Sequence, residues 1–279
     1  MSSTAPPVLS TEELALFNEF FSSHFGLYFS EHKREILESR LLPRLRANRV
    51  QRFIDYYLLL QYDLERELDS LTQAITNNES YFFRETGQFE VLDRDLLYEL
   101  ESHGISRQLR FLSAGCSSGE EPYTLNIYLR EISGHIPADL RIDAFDLDQE
   151  RLALARRGLY RSSSLRALDE SQIGRYFTAI DARNYELRGP YRRGVRFSFG
   201  NILDVTTFPP GVKYDVIFCR NVLIYFSETA LKTAIDNFAK VIRHDGLLFL
   251  GHSESIIGLS KAFQAERLGQ CIVYRRTHP

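Results

Sequence analysis

The sequence predicts an α/β domain on a mostly parallel sheet, preceded by an all-helical domain and interrupted by an insertion. Three observations carry that prediction. Apolar residues recur at helical spacing from Ser10 to Thr76, and from Leu109 onward strand-length apolar runs alternate with helical segments. Tyr160–Gly194 breaks the alternation, being rich in Ser, Arg and Tyr with turn signals at Asn184 and Gly189-Pro190. The expected boundaries are a helical domain over 10–76, a linker and bridging helix over 77–108, and an α/β domain over 109–279 with the insertion at about 160–194.

The 279 residues, 44% of them hydrophobic, can fill a substantial core. A formal net charge of −3 gives no global attraction to nucleic acid or anionic lipid, so a basic partner site must be local. The longest apolar runs, Tyr56–Leu60 and Leu247–Leu250, fall far short of the ~20 residues that cross a bilayer. Met1–Leu9 lacks a basic segment followed by an apolar one, so no secretory leader is expected. Cys116, Cys219 and Cys271 have neither CxxC spacing nor adjacent histidines, which argues against a disulfide framework or a zinc site and fits a reducing cytoplasm.

In the helical domain, Ser10 and Thr11 offer an N-cap ahead of Leu14, Phe17, Phe20 and Phe21, which share one face. Between Lys33 and Arg52, seven basic residues stand against Glu35 and Glu38, while Leu37, Leu41 and Leu45 supply packing. Lys33, Arg40 and Arg44 share nearly one helical bearing and, with Arg46, would suit an acidic partner. Pro43 is expected to kink or restart that helix.

In the α/β domain, strands are predicted at Leu109–Ser113, Arg141–Phe145, Val195–Phe199, Tyr214–Cys219, Leu247–Gly251 and Ile272–Arg275. Helices are predicted at Glu120–Ile132, Gln149–Arg157 and Glu228–Val241, with a further helical segment at Leu92–His103.

The first predicted strand runs into Ala114-Gly115-Cys116-Ser117-Ser118-Gly119-Glu120-Glu121, small residues that let the backbone approach a ligand at the strand's carboxyl end. The spacing is GxxxG rather than GxGxxG, and two carboxylates stand where a dinucleotide's phosphates would press. That argues against NAD and toward a cationic, nucleoside-like cofactor. Asp146 ends the second strand, where a carboxylate can accept both ribose hydroxyls, and Asp148 reads as a helix N-cap. Gly200-Asn201-Ile202 and Phe218–Phe226 end two more strands and so converge on the same cleft. Cys116 and Cys219 are expected at the ends of neighbouring strands.

Six stretches, NNESYFFRE (77–85), SAGCSSGEEPYTL (113–125), FDLD (145–148), GNIL (200–203), FCRNVLIYF (218–226) and GHSES (251–255), together resemble the chemotaxis receptor methyltransferase family, CheR. The resemblance implies a Rossmann-like class I methyltransferase domain in which the insertion forms a small β-subdomain, with S-adenosylmethionine as cofactor and S-adenosylhomocysteine as product. It implies transfer to glutamate carboxylates of chemoreceptors during sensory adaptation. The implied cofactor contacts are Asn78, Ser80, Arg84, Glu121, Asp146, Asn201, Ile202, Arg220 and Asn221, with Arg84, Arg220 and Tyr225 at the reacting centre. Ser80 stands where relatives often have threonine. Lys33, Arg40, Arg44 and Arg46 would meet the helical cytoplasmic domain of the receptor.

The implied enzyme is a cytoplasmic monomer that binds no nucleic acid, with an adaptor protein as a further candidate partner. Some relatives grip a receptor's terminal peptide with the inserted subdomain and have glycines at its loop tip. Here that tip reads Ala179-Ile180-Asp181-Ala182-Arg183-Asn184. The competing readings are a methyltransferase with another acceptor and a non-catalytic, cofactor-binding signalling module. Against the first, the Asn/Asp-Pro-Pro-aromatic sequence of many amide and nucleic-acid methyltransferases is missing; Arg220-Asn221 and Tyr225 speak against the second.

Overall fold

Hydrogen bonding in the computed structural model follows the apolar pattern closely. The structure describes residues 7–76, 79–102, 109–133 and 141–277. The chain divides into two units, Met1–Asn78 with Tyr225–Leu231, and Glu79–Ile224 with Lys232–Pro279.

The first unit contains α1 (Thr11–Phe25), α2 (Arg34–Ala47), α3 (Phe53–Tyr62) and α4 (Leu64–Ile75). Ser10 caps α1 in a reciprocal pair with Glu13, and Gly26 ends it in the left-handed region at φ 77°. Leu14, Phe17, Phe20 and Phe21 all face inward, as their spacing predicts. Pro43 does not restart the helix, since α2 runs from Arg34 to Ala47 through it. Leu41 and Leu45 on either side are buried, and that packing outweighs a cost of ~3 kcal/mol for an interior proline. Tyr225–Leu231 joins this unit through Tyr28 N–H to the Tyr225 carbonyl (2.8 Å) and Ser227 N–H to the Gly26 carbonyl (2.9 Å).

The second unit opens with α5 (Gly87–Glu90) and α6 (Arg94–Ser102), followed by β1 (Arg110–Ala114), α7 (Glu120–Ser133), β2 (Arg141–Asp146) and α8 (Gln149–Arg157). His103, the last residue of the helix predicted over Leu92–His103, lies outside the described residues. The insertion comprises β3 (Leu159–Arg161), α9 (Glu170–Tyr176), β4 (Phe177–Ala179), β5 (Asn184–Leu187) and α10 (Gly189–Arg192). Then come β6 (Val195–Phe199), β7 (Tyr214–Cys219), α11 (Glu228–Val241), β8 (Ile242–Leu250), β9 (Phe263–Leu268) and β10 (Cys271–Arg276).

The main sheet has seven strands in the order β6-β2-β1-β7-β8-β10-β9, and the insertion has its own antiparallel sheet, β3-β5-β4. β7 is buried along its whole length, as a central parallel strand covered on both faces should be. Phe218 stacks on Phe249 at 4.6 Å and on Phe89 at 5.3 Å, tying β7, β8 and α5 together. The glycine-free tip between β4 and β5 is held by Asp181, which accepts from the N–H of Arg183 (2.8 Å) and of Asn184 (2.9 Å). Among the described residues no helix is long and apolar enough to cross a membrane.

Candidate active site

The strand order reverses between β1 and β7, so the loops leaving these two strands open a crevice at the carboxyl edge of the sheet. Gly115, Ser117 and Gly119 all take positive φ, 78°, 47° and 89°, which coils the loop tightly. A side chain at Gly115 would come within 2.6 Å of Val222 Cγ2 in the β7 loop, so only glycine lets the loops close to this distance. Ser117 at φ 47° is a strained non-glycine position, of the sort that gathers at ligand sites.

Asp146 stands at the end of β2. Its Oδ2 accepts from Ser117 N–H at 2.7 Å and its Oδ1 from Asp148 N–H at 2.9 Å. Burial pushes its carboxyl above the usual range, and the two N–H donors oppose that shift. Asp148 caps α8, accepting from Arg151 N–H at 3.0 Å. Asn201 and Ile202 follow β6, whose end is fixed to β2 by Gly200 N–H to the Asp146 carbonyl at 3.1 Å. The Asn201 side chain turns back on Leu203 N–H (3.0 Å), and the Ile202 carbonyl accepts from Asn237 Nδ2 (3.0 Å).

Arg220 forms the charged centre. Its side chain is 2% exposed, lies over the Phe89 ring at 5.0 Å, and directs Nη2 to the Arg84 carbonyl (2.6 Å) and to Glu85 Oε2 (3.2 Å). Its Nε faces Glu121 Oε2 at 3.7 Å, beyond hydrogen-bond range, and is buried with no hydrogen-bond partner among the described residues. Glu121 Oε1 accepts from the Ser113 hydroxyl at 2.7 Å. Burial raises the Glu121 carboxyl, and the Arg220 charge works against that rise. Asn221 adopts φ 59°, with its N–H on Glu254 Oε2 at 2.9 Å.

The segment before α5 reaches this cluster through backbone strain, since Phe83 and Glu85 take φ 58° and 55°. Phe82 is fully buried between Tyr160 and Phe177 of the insertion, which anchors the segment carrying Ser80 and Arg84. Arg84 Nη1 bonds to the Glu79 carbonyl at 2.9 Å, and Ser80 is partly buried just upstream. Asn78 lies outside the described residues.

Glu121, Asp146, Arg220 and Asn221 therefore gather at the crevice, and Arg84 joins them through its carbonyl. Tyr225 counts with the helical unit, where Lys33 Nζ sits 5.1 Å from its ring centroid. The basic face expected from Lys33 to Arg52 is divided in the structure. Arg44 turns inward and binds Glu67 through Nη2 (2.8 Å) and Nε (3.1 Å), while Arg40 Nη1 bonds to the Ile75 carbonyl (2.8 Å). Arg46 stays exposed, and Arg52 is taken by Asp55.

Sequence reasoning gave no role to Glu85 or Glu254, although both lie inside quoted motifs. The available signal was that each is a carboxylate inside a quoted motif, Glu85 next to Arg84 in NNESYFFRE and Glu254 in GHSES. Glu120, one of the two carboxylates expected to face the ligand, is instead buried against the hydroxyls of Ser118 (2.8 Å) and Ser164 (3.1 Å) and so ties the loop to the insertion. Cys116 and Cys219 are buried, and burial holds both thiols well above their usual range, against reactive thiolates.

The residues present suit S-adenosylmethionine. The ligand has a diol and a zwitterionic amino-acid end; the crevice offers the Asp146 and Glu121 carboxylates together with the buried Ser117 hydroxyl and Arg220 Nε, both without a hydrogen-bond partner among the described residues. Asp146→Asn should weaken binding of S-adenosylhomocysteine by ~10- to 100-fold, since hydrogen bonds to a charged group contribute ~1.5–3 kcal/mol. Calorimetric titration checks this, and an affinity within about twofold of the parent's would remove Asp146 from the ribose position.

Comparison with known proteins agrees over both units. Residues 12–76 match the family description "CheR methyltransferase, all-alpha domain", and residues 78–271 match "CheR methyltransferase, SAM binding domain". Chemotaxis protein methyltransferase 2 of Vibrio cholerae is 33% identical, over 97% of this chain and 95% of its own length. The chemotaxis protein methyltransferase of Salmonella typhimurium is 36% identical over 85% of this chain and 82% of that protein. That of Escherichia coli is 33% identical over 91% and 90%. This chain, with both family domains in order and a crevice at the sheet's switch point, belongs to the CheR methyltransferase family.

Proposed function

We propose that the protein transfers the methyl group of S-adenosylmethionine to glutamate side chains of chemotaxis receptors, forming methyl esters. The observation that carries this is the Arg220–Glu85–Glu121 cluster, with Asp146 at the end of a neighbouring strand, in a chain that matches both family domains. The cofactor supplies an electrophilic methyl group. The acceptor carboxylate, with an unperturbed pKa of ~4.3, is already a nucleophile near neutral pH, so the protein has no proton to remove.

Placement then dominates, with ~7–11 kcal/mol available from proximity in favourable cases. In this reading Asp146 takes the ribose hydroxyls, with Asn201 and Ile202 nearby. Glu121 and Arg220 face the amino-acid end together with Asn78, Ser80 and Asn221, and Arg84 and Tyr225 orient the reacting groups. The enzyme works in the cytoplasm as a monomer open to regulation by an adaptor protein. Residues 10–76 serve docking, 77–108 link, and 109–279 carry the transfer, with the insertion at about 160–194.

Incubation with methyl-labelled cofactor and a purified receptor cytoplasmic domain, followed by base, should release labelled methanol, as glutamate esters do. Base-stable label would overturn the glutamate assignment. For docking, Lys33 and Arg46 are the cleaner probes, because Arg40 and Arg44 spend their guanidinium groups inside the helical unit. Arg46→Glu should slow receptor methylation by roughly three- to tenfold at low salt without changing S-adenosylhomocysteine affinity. An unchanged rate would remove the basic helix from receptor recognition.

A further inference from the structure

Glu254, in the turn after β8, reaches across to the loop that leaves β7. Its Oε2 accepts from the N–H of Asn221 (2.9 Å) and of Gly251 (2.6 Å), and its Oε1 accepts from the N–H of Ile224 (3.1 Å). One carboxylate thus gathers three main-chain donors from two separate loops. Gly251 is part of the same fit: a side chain there would lie 2.8 Å from Asn221 Nδ2 and 2.9 Å from Glu254 Oε2. The turn itself is closed by Glu254 N–H to the Gly251 carbonyl at 2.9 Å.

What Glu254 holds is unusual. Asn221 sits at φ 59°, in the left-handed region that asparagine tolerates better than most residues with a side chain but that is held only where the surroundings favour it. Immediately before it is Arg220, whose guanidinium meets Glu85 and Glu121; immediately after it is Val222, packed where a Gly115 side chain would be. A carboxylate accepting several N–H groups makes strong, charge-assisted bonds, so the strained turn is fixed before any ligand arrives.

We infer that Glu254 is a positioning residue: by clamping the N–H groups of Asn221, Ile224 and Gly251 it fixes the β7 loop in the conformation that aims Arg220 and Asn221 at the cofactor. It acts through the loop and touches neither reacting atom. The inference deepens the proposed function in its turnover arm, whereas its exchange and binding arms stand without it.

The experiment compares the full-length protein with Glu254→Gln, which keeps the volume but replaces one acceptor by a donor, and with Glu254→Asp, which keeps the charge. Hydrogen exchange of the ligand-free protein should speed up at least tenfold across residues 219–226 in Glu254→Gln, with β1 and β2 unchanged. Binding of S-adenosylhomocysteine should weaken by about three- to tenfold, and kcat for receptor methylation should fall by at least tenfold with the receptor KM within twofold of the parent's. Glu254→Asp should recover part of the kcat loss. Parent-like exchange in 219–226, or parent-like cofactor affinity, would overturn the inference even if no receptor is methylated; a parent that binds the cofactor yet forms no base-labile ester counts against the proposed function alone. Loss of β1 and β2 protection in both variants would likewise overturn it, showing Glu254 to be a general fold contact.

Discussion

Replacing Arg220 with methionine is expected to lower methyl transfer by ~100- to 1,000-fold, the range seen when one preorganised electrostatic contact at a reacting centre is removed. The side chain is 2% exposed, and its partners Glu85 and Glu121 are themselves only 17% and 16% exposed. Deleting the guanidinium leaves two carboxylates facing each other without a counter-charge, a penalty of ~3–5 kcal/mol for a buried pair. The Arg84 carbonyl loses its donor too, so the strained turn from Phe83 to Glu85 should loosen.

Arg220→Lys should be intermediate, because an ammonium keeps the charge but cannot reach Glu85, Glu121 and the carbonyl with one rigid fork. The comparison is made on kcat and on S-adenosylhomocysteine affinity, both of which should drop in the methionine variant. Parent-like values for both would take Arg220 out of the site.

The second large effect lies in the helical unit. Arg44→Glu should destabilise it by about 3 kcal/mol or more, because Glu67 is 5% exposed on its side chain and is left beside a like charge. The Tyr56 hydroxyl also donates to Glu67 at 2.9 Å, so the whole polar group depends on that carboxylate. Hydrogen exchange across 34–75 should accelerate while 109–133 stays protected. Arg44→Leu with Glu67→Leu should restore only part of the stability, since removing both ions avoids an unpaired charge but leaves the buried Tyr56 hydroxyl without its acceptor. Equal exchange in parent and Arg44→Glu would show that the pair contributes nothing.

The same pair sets an acid limit. Burial raises the Glu67 carboxyl, but hydrogen bonds from Arg44, Asn48 and Tyr56 more than offset it and leave the folded pKa below its ordinary value. A depressed folded pKa gives stability that is complete above the unfolded value of ~4.3 and is lost as pH falls through the folded one. The helical unit should therefore weaken below about pH 4, and Glu67→Gln should flatten that acid limb.

Much of this protein was legible before folding. Gln149–Arg157 and Glu228–Val241 match their predicted bounds because an Asp148 cap and a steady helical period mark them, and Tyr214–Cys219 does so because a buried parallel strand is a plain apolar run. β9 went unpredicted because Phe263–Leu268 is a largely exposed edge strand with no apolar alternation. β3 and β4 are three residues each, too short for any period to show.

By itself, the sequence determined the two-part organisation, the glycine loop, the Asp146 position and the family motifs, since each depends on residues near one another along the chain. Tertiary structure alone decided the partners. Arg44 and Arg46 look alike in a basic stretch, yet Glu67, far along the chain, draws one inward and leaves the other outside. Glu85, Glu121 and Arg220 form one charge cluster, and Glu254 clamps Asn221, only because the parallel sheet brings distant strand ends to the same edge. Such pairings are long-range contacts between charged groups, which no local period encodes.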